Sequence, residues 1–190
     1  MSNATPLGRT ATYRDLGEVP EHLIAEILNG DLWVSPHPLP RHSYAMTMLA
    51  AALVPPFHHG NGGPGGWQLL VEVEVHCGGD VLVPDLAGWR SNRDAKFLER
   101  RRITDAPDWV CEILSKGTKK IDRGLKMQIY ARENVGHLWF LDPRKKTLEV
   151  FKLVAGVWVP IRLLKDDAVA AAEPFEAAPF PLARLWPKNQ

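Results

Sequence analysis

Residues 107–114 read PDWVCEIL and residues 137–142 read HLWFLD. Both are nearly continuous apolar, strand-forming runs, as suits strands covered on both faces. Between them lies KKIDRGLKMQIYARENVG (119–136). Ile121, Leu125 and Ile129 fall at i, i+4 and i+8 in it, which predicts an amphipathic helix ending near Gly136. Strand, helix, strand is the signature of a mixed α/β centre. One residue conflicts with the pattern. Glu112 interrupts the apolar run, and a carboxylate in a buried strand is costly unless it is paired, hydrogen-bonded or bound to a cation.

Upstream, TYRDL (12–16) predicts a short helix. LIAEIL and DLWVS, joined by Asn29-Gly30, predict a hairpin with a type I′ turn, which places Glu26 on a strand. HPLPRHS (37–43) reads as a proline-rich connection that carries His42 to a buried helix, YAMTMLAAALV (44–54), ended by Pro55 and Pro56. HHGNGGPGG (58–66) is a loop of turn residues. WQLLVEVEVHC (67–77) has period two and predicts one half-buried strand. After a Gly78-Gly79-Asp80 turn, VLVPDLAGW (81–89) predicts a second strand with Asp85 in its middle. RSNRDAKFLERRRITDA (90–106) is a polar connection. TLEVFKL and VWVPIRLL predict a further hairpin before an Ala- and Pro-rich tail.

The 190 residues carry a net charge of +1, with 45% hydrophobic and 24% charged residues, the balance of an ordinary globular chain. No apolar stretch is long enough to span a bilayer, and the N-terminus lacks an apolar signal core. Cys77 and Cys111 lie in apolar contexts and read as reduced core thiols of a cytoplasmic protein. With no repeat and no boundary, one domain over residues 1–190 is expected, with a core at about 10–155 and a C-terminal β extension and tail at 156–190. Near neutrality confines any basic surface to the local runs ERRR (99–102) and KGTKK (116–120).

Asp85 is the second acid out of place, since Asp is depleted in strands. Two acids on neighbouring strands offer paired oxygen donors to a hard cation such as Mg²⁺ or Mn²⁺. Asp122, Lys126 and Tyr130 form a stripe at i, i+4 and i+8, so a lysine can approach the acids from the following helix. Carboxylates, cation and ammonium suit phosphodiester hydrolysis. Spacing alone leaves structural readings open: a salt bridge or edge position for Asp85 and Glu112, a solvated helix face for Lys126, and turn duty for Asp108.

Taken together, EILNGDLWVSP, PRHS before a helix, VPDLAGW, PDWVCEILS, the D…K…Y stripe and VGHLWFLDP resemble the Uma-two family of restriction-endonuclease-like proteins, in the PD-(D/E)xK superfamily. The resemblance covers residues 10–155. It implies a mixed β-sheet flanked by helices and a metal-dependent nuclease site. Asp85 then matches the PD aspartate and Glu112 the (D/E)xK acid, both as Mg²⁺ or Mn²⁺ ligands. The xK position holds Leu114, which shifts the lysine role to Lys126. Glu26 and His42 match further family positions, and Tyr130 joins them as an additional candidate. Lys116, Lys119, Lys120, Arg100, Arg101 and Arg102 are candidates for backbone phosphates. The implied activity is endonucleolytic cleavage of DNA, with a homodimer suited to cutting two strands and no membrane partner. The rival reading is a catalytically silent nucleic-acid-binding or assembly module on the same fold. A small-phosphoester hydrolase is a third, disfavoured by the lack of a P-loop lysine.

Overall fold

The computed structural model describes residues 3–5, 7–91 and 97–187. A short strand β1 (Asn3–Thr5) precedes the one-turn helix α1 (Tyr13–Leu16), then the expected hairpin of β2 (Leu23–Leu28) and β3 (Asp31–Pro36). Asn29 and Gly30 take φ of 52° and 83°, the left-handed pair that a type I′ turn requires.

Helix α2 (Pro40–Leu53) starts earlier than the sequence suggests. Pro40 takes the first helical position, where its missing N–H is no loss and its φ is preset. His42 therefore lies inside the first turn of α2 rather than ahead of it. Only one face of the helix is buried, through His42, Ala45, Leu49 and Leu53. Pro55 and Pro56 do not end the helical path. They remove donors from the regular ladder, and the chain continues as a wide π turn over Val54–His58.

Two expected strands each prove to be two, in different sheets. WQLLVEVEVHC forms β4 (Trp67–Val71) and β5 (Val75–Cys77), separated at Glu72, whose φ is 46°. VLVPDLAGW forms the end of β6 (Asp80–Leu82) and most of β7 (Leu86–Arg90). Pro84 cannot donate to a ladder, so the strand breaks there. Asp85 thus sits at a corner between sheets, not in mid-strand. The Glu72 N–H donates to the Asp85 carbonyl at 3.1 Å and ties the two corners together. The polar connection at 90–106 falls partly outside the described residues. Its later part makes a 3₁₀ turn at Phe97–Glu99.

The remaining strands are β8 (Trp109–Ile113), β9 (His137–Asp142), β10 (Thr147–Val154), β11 (Val157–Lys165), β12 (Val169–Ala170) and β13 (Phe180–Pro181). Between β8 and β9 runs the helical segment α3 (119–132), with a π turn at Asp122–Lys126 flanked by Lys119–Ile121 and Met127–Arg132. That crossover permits the β8–β9 pair to be parallel. The six-stranded sheet runs β11-β10-β9-β8-β7-β4, and its other neighbours are antiparallel. A five-stranded sheet runs β1-β3-β2-β6-β5. The fold is the expected mixed sheet flanked by helices.

Alternation along β8 divides the core. Trp109, Cys111 and Ile113 pack on the α2 side, Val110 and Leu114 on the α3 side. The tail closes the α2 side and is no appendage. Phe175 lies 4.7–5.6 Å, centroid to centroid, from Phe57, Trp67, Trp109 and Trp139. Cys77 and Cys111 are buried free thiols, as expected.

Candidate active site

The corner at Val83–Asp85, the end of β8 and the middle of α3 meet at one point. Glu112 has the parity of Val110, so its side chain faces α3. There its Oε1 accepts from Lys126 Nζ at 2.7 Å and from the Tyr130 hydroxyl at 2.5 Å. Lys126 also reaches Glu26 Oε1 at 3.0 Å and the Val83 carbonyl at 3.4 Å. Glu26 in turn accepts the Val83 N–H at 2.8 Å. The N-terminal hairpin therefore clamps both the lysine and the corner that presents Asp85. The Asp122, Lys126 and Tyr130 stripe expected beside the apolar face is itself buried. Lys126 is only 3% exposed, which removes the solvated-face reading.

Asp85 is held at both oxygens. Oδ2 accepts the Ile113 N–H at 2.6 Å, one residue beyond Glu112, and Oδ1 lies 3.2 Å from His42 Nε2. The other ring nitrogen of His42, Nδ1, is buried and has no hydrogen-bond partner among the described residues.

Burial pushes the Glu112 carboxyl up to about 7, against the pull of Lys126, and the charges of Asp85 and Glu26 push the same way. Burial raises Asp122 too, helped by the charge of Glu112. Burial alone would neutralise Lys126, but Glu112 and Glu26 hold its pKa well above the ordinary value, so it stays an ammonium. For His42, burial lowers the pKa, while the hydrogen bond and charge of Asp85 more than offset it, so the net shift is upward.

These groups open on a cavity of about 390 Å³. Glu26, His42, Asp85, Glu112, Asp122 and Lys126 line its floor. The β3–α2 connection forms one wall, and the β8–α3 loop with Pro143 and Arg144 forms the other. Ser115 shapes the second wall, because its hydroxyl accepts the N–H groups of Gly117 and Thr118 at 3.2 and 3.1 Å.

Of the expected phosphate contacts, Lys116 lines this cavity. Lys119 does not. Its ammonium lies 3.7 Å from Asp142, and Lys120 is exposed away from the lining. Arg100, Arg101 and Arg102 are likewise not part of it. Arg100 pairs with Asp105 at 2.8 Å, Arg102 stacks over Tyr13 at 4.1 Å, and Arg101 is exposed. ERRR lies just before Ile103, which pairs with Val75 of the five-stranded sheet, so these arginines stand outside the cavity lining. Arg41 and Arg144 also line the cavity, and nothing in their sequence context marks them. Asp122 was legible as part of the stripe, but its carboxylate gave no signal that it would reach the acids. Asp108 links the start of β8 to β7, accepting the Arg90 N–H at 2.8 Å. Asp142 caps the turn after β9 through the N–H groups of Arg144 and Lys145, both at 3.1 Å.

The donor set suits one class of metal. Among the described residues, no group of three or more His, Cys, Asp or Glu side chains is arranged to hold an ion. Two carboxylates facing a common cavity are the protein share that Mg²⁺ commonly takes, the rest being water and substrate oxygen. The Glu112 carboxyl is raised first by burial, and the charges of Asp85 and Glu26 add to it against the pull of Lys126.

A family model described as "Uma2: Putative restriction endonuclease" matches residues 11–182. No curated protein matches the chain. Among solved structures, the chain is similar to "a putative nuclease belonging to DUF820" from Anabaena variabilis. The two share 18% identity and a TM-score of 0.68, over 92% of this chain and 97% of that one. At that identity the likeness speaks for the fold.

Proposed function

The chain belongs to the Uma2 family of restriction-endonuclease-like proteins, and from that premise we propose that it is a metal-dependent endonuclease hydrolysing phosphodiester bonds in DNA. The observation that carries the reading is the buried chain Glu26–Lys126–Glu112 beside Asp85 on the floor of an open cavity.

Asp85 and Glu112 would hold Mg²⁺ or Mn²⁺. Bound there, the cation would polarise the phosphoryl oxygen and acidify a water. The protein's own groups supply the rest. The Ile113 N–H and His42 fix the Asp85 carboxylate, and Tyr130 and Lys126 fix that of Glu112. Lys126 keeps its proton and would set a positive charge beside the phosphoryl oxygens on which negative charge grows. Glu26 orients Lys126. Lys116, Arg41 and Arg144 at the mouth draw in phosphates. We place the protein in the cytoplasm, where Cys77 and Cys111 stay reduced, and expect a homodimer.

Circular DNA with Mg²⁺ or Mn²⁺ tests this reading. Wild type is expected to nick or linearise it, and Asp85→Ala and Glu112→Gln to lose at least about a hundredfold in rate, the scale of one lost electrostatic contact in a closed site. Equal rates for wild type and both variants would refute the assignment. Binding without turnover, unchanged in Glu112→Gln, would favour the silent nucleic-acid-binding module instead.

A further inference from the structure

The two walls of the cavity differ in chemistry. The β8–α3 side and the turn after β9 offer Lys116, the Thr118 hydroxyl and Arg144. The β3–α2 side offers Pro36, His37, Pro38 and Leu39, with Arg41 at its α2 end beside the mouth. Leu39 is 71% exposed, and no surface on its own side of the cavity covers it. The reacting groups lie below both walls, with Glu112 2% and Lys126 3% exposed. A cavity of about 390 Å³ is the size of a small-ligand pocket, not of a groove that takes a double helix.

A rigid duplex carries its phosphates on a convex surface with the bases stacked inside. It cannot bring a phosphate to the floor while a base also meets the apolar wall. An unpaired strand can do both. Its backbone follows the cationic side, and one unstacked base covers Leu39, His37 and the prolines, as in single-strand binding sites.

We infer that the cavity between the β3–α2 connection and the β8–α3 loop takes one unpaired nucleotide, so that the site acts on single-stranded nucleic acid or on the single-stranded parts of duplexes. The inference rests on the nuclease reading for its chemistry but not for its binding geometry.

The test uses the full chain with three fluorescent oligonucleotides of one sequence: single-stranded, blunt duplex, and duplex with a single-stranded tail. Binding is read by anisotropy in Ca²⁺ and cleavage by gel in Mn²⁺. The single strand and the tail are expected to bind and react at least about tenfold better than the blunt duplex. Leu39→Ala and His37→Ala together are expected to weaken single-strand binding about fivefold or more, the effect of losing one stacked base. Duplex affinity and Mn²⁺ affinity stay unchanged. Preferential single-strand binding without cleavage by wild type would support the inference while the nuclease reading fell. Blunt duplex bound and cut as well as the single strand would overturn the inference and leave the nuclease reading standing.

Discussion

Lys126 is the most constrained residue of the site, an ammonium closed in by two carboxylates, a carbonyl and helix α3. Removing it alone strands buried negative charge. Lys126→Met is expected to destabilise the fold by about 3–5 kcal/mol, as for other broken buried pairs. Adding Glu26→Gln and Glu112→Gln should return much of that loss in chemical denaturation. Glu112 makes a pH prediction with a definite sign. Its carboxyl rises from the ordinary 4.5 to about 7 on folding. The folded state therefore binds the proton more tightly, and this contribution is fully present below pH 4.5 and is lost as pH rises through about 7. In chelator, the melting temperature of wild type should fall relative to Glu112→Gln across that window. Parallel curves would show that Glu112 is not the titrating group. Glu112 itself was legible in the sequence, because an acid in an apolar strand demands a partner. Its partners Lys126 and Tyr130 were legible through helical spacing. Arg41 and Arg144 were not, since their place at the mouth depends on how two distant connections face each other.

At the scale of elements, the site exists because two strands change sheets side by side. β4 and β7 pair in one sheet and β5 and β6 in the other, so the chain turns twice, at Glu72 and at Pro84. Period-two patterning reads such a path as one straight strand, because alternation says nothing about which neighbour a strand pairs with. Pro84 carried the local warning. The hairpin at Asn29-Gly30 and the β8–α3–β9 unit were readable, since their turns and periodicities are local. The π turn in α3 had no sequence signature. β7 also depends on a glycine for a packing reason. A Cβ on Gly88 would stand 2.9 Å from Leu69 and 3.2 Å from the rings of Trp67 and Trp109. Gly88→Ala is expected to cost about 1–3 kcal/mol by overpacking, read from the urea midpoint. An unchanged midpoint would mean that the sheet yields at this point.

For the molecule as a whole, the six-stranded sheet is covered by α2 and the tail on one side and by α3 on the other. The sequence left 156–190 as an extension, because an Ala- and Pro-rich stretch has no period to follow. Yet Phe175 closes a cluster of four aromatic rings. Phe175→Ala is expected to cost about 3–5 kcal/mol. If the chain is one folding unit, tryptophan fluorescence and far-UV circular dichroism will report the same transition in wild type and variant. The site depends on that unit, since its groups come from β2, α2, the β6–β7 corner, β8 and α3. The most direct test of the account is a crystal structure soaked in Mn²⁺, read by anomalous scattering. The account predicts one Mn²⁺ held jointly by the carboxylates of Asp85 and Glu112, with the Lys126 ammonium still beside Glu112. Mn²⁺ bound elsewhere, or no peak between these carboxylates at saturating metal, would contradict it.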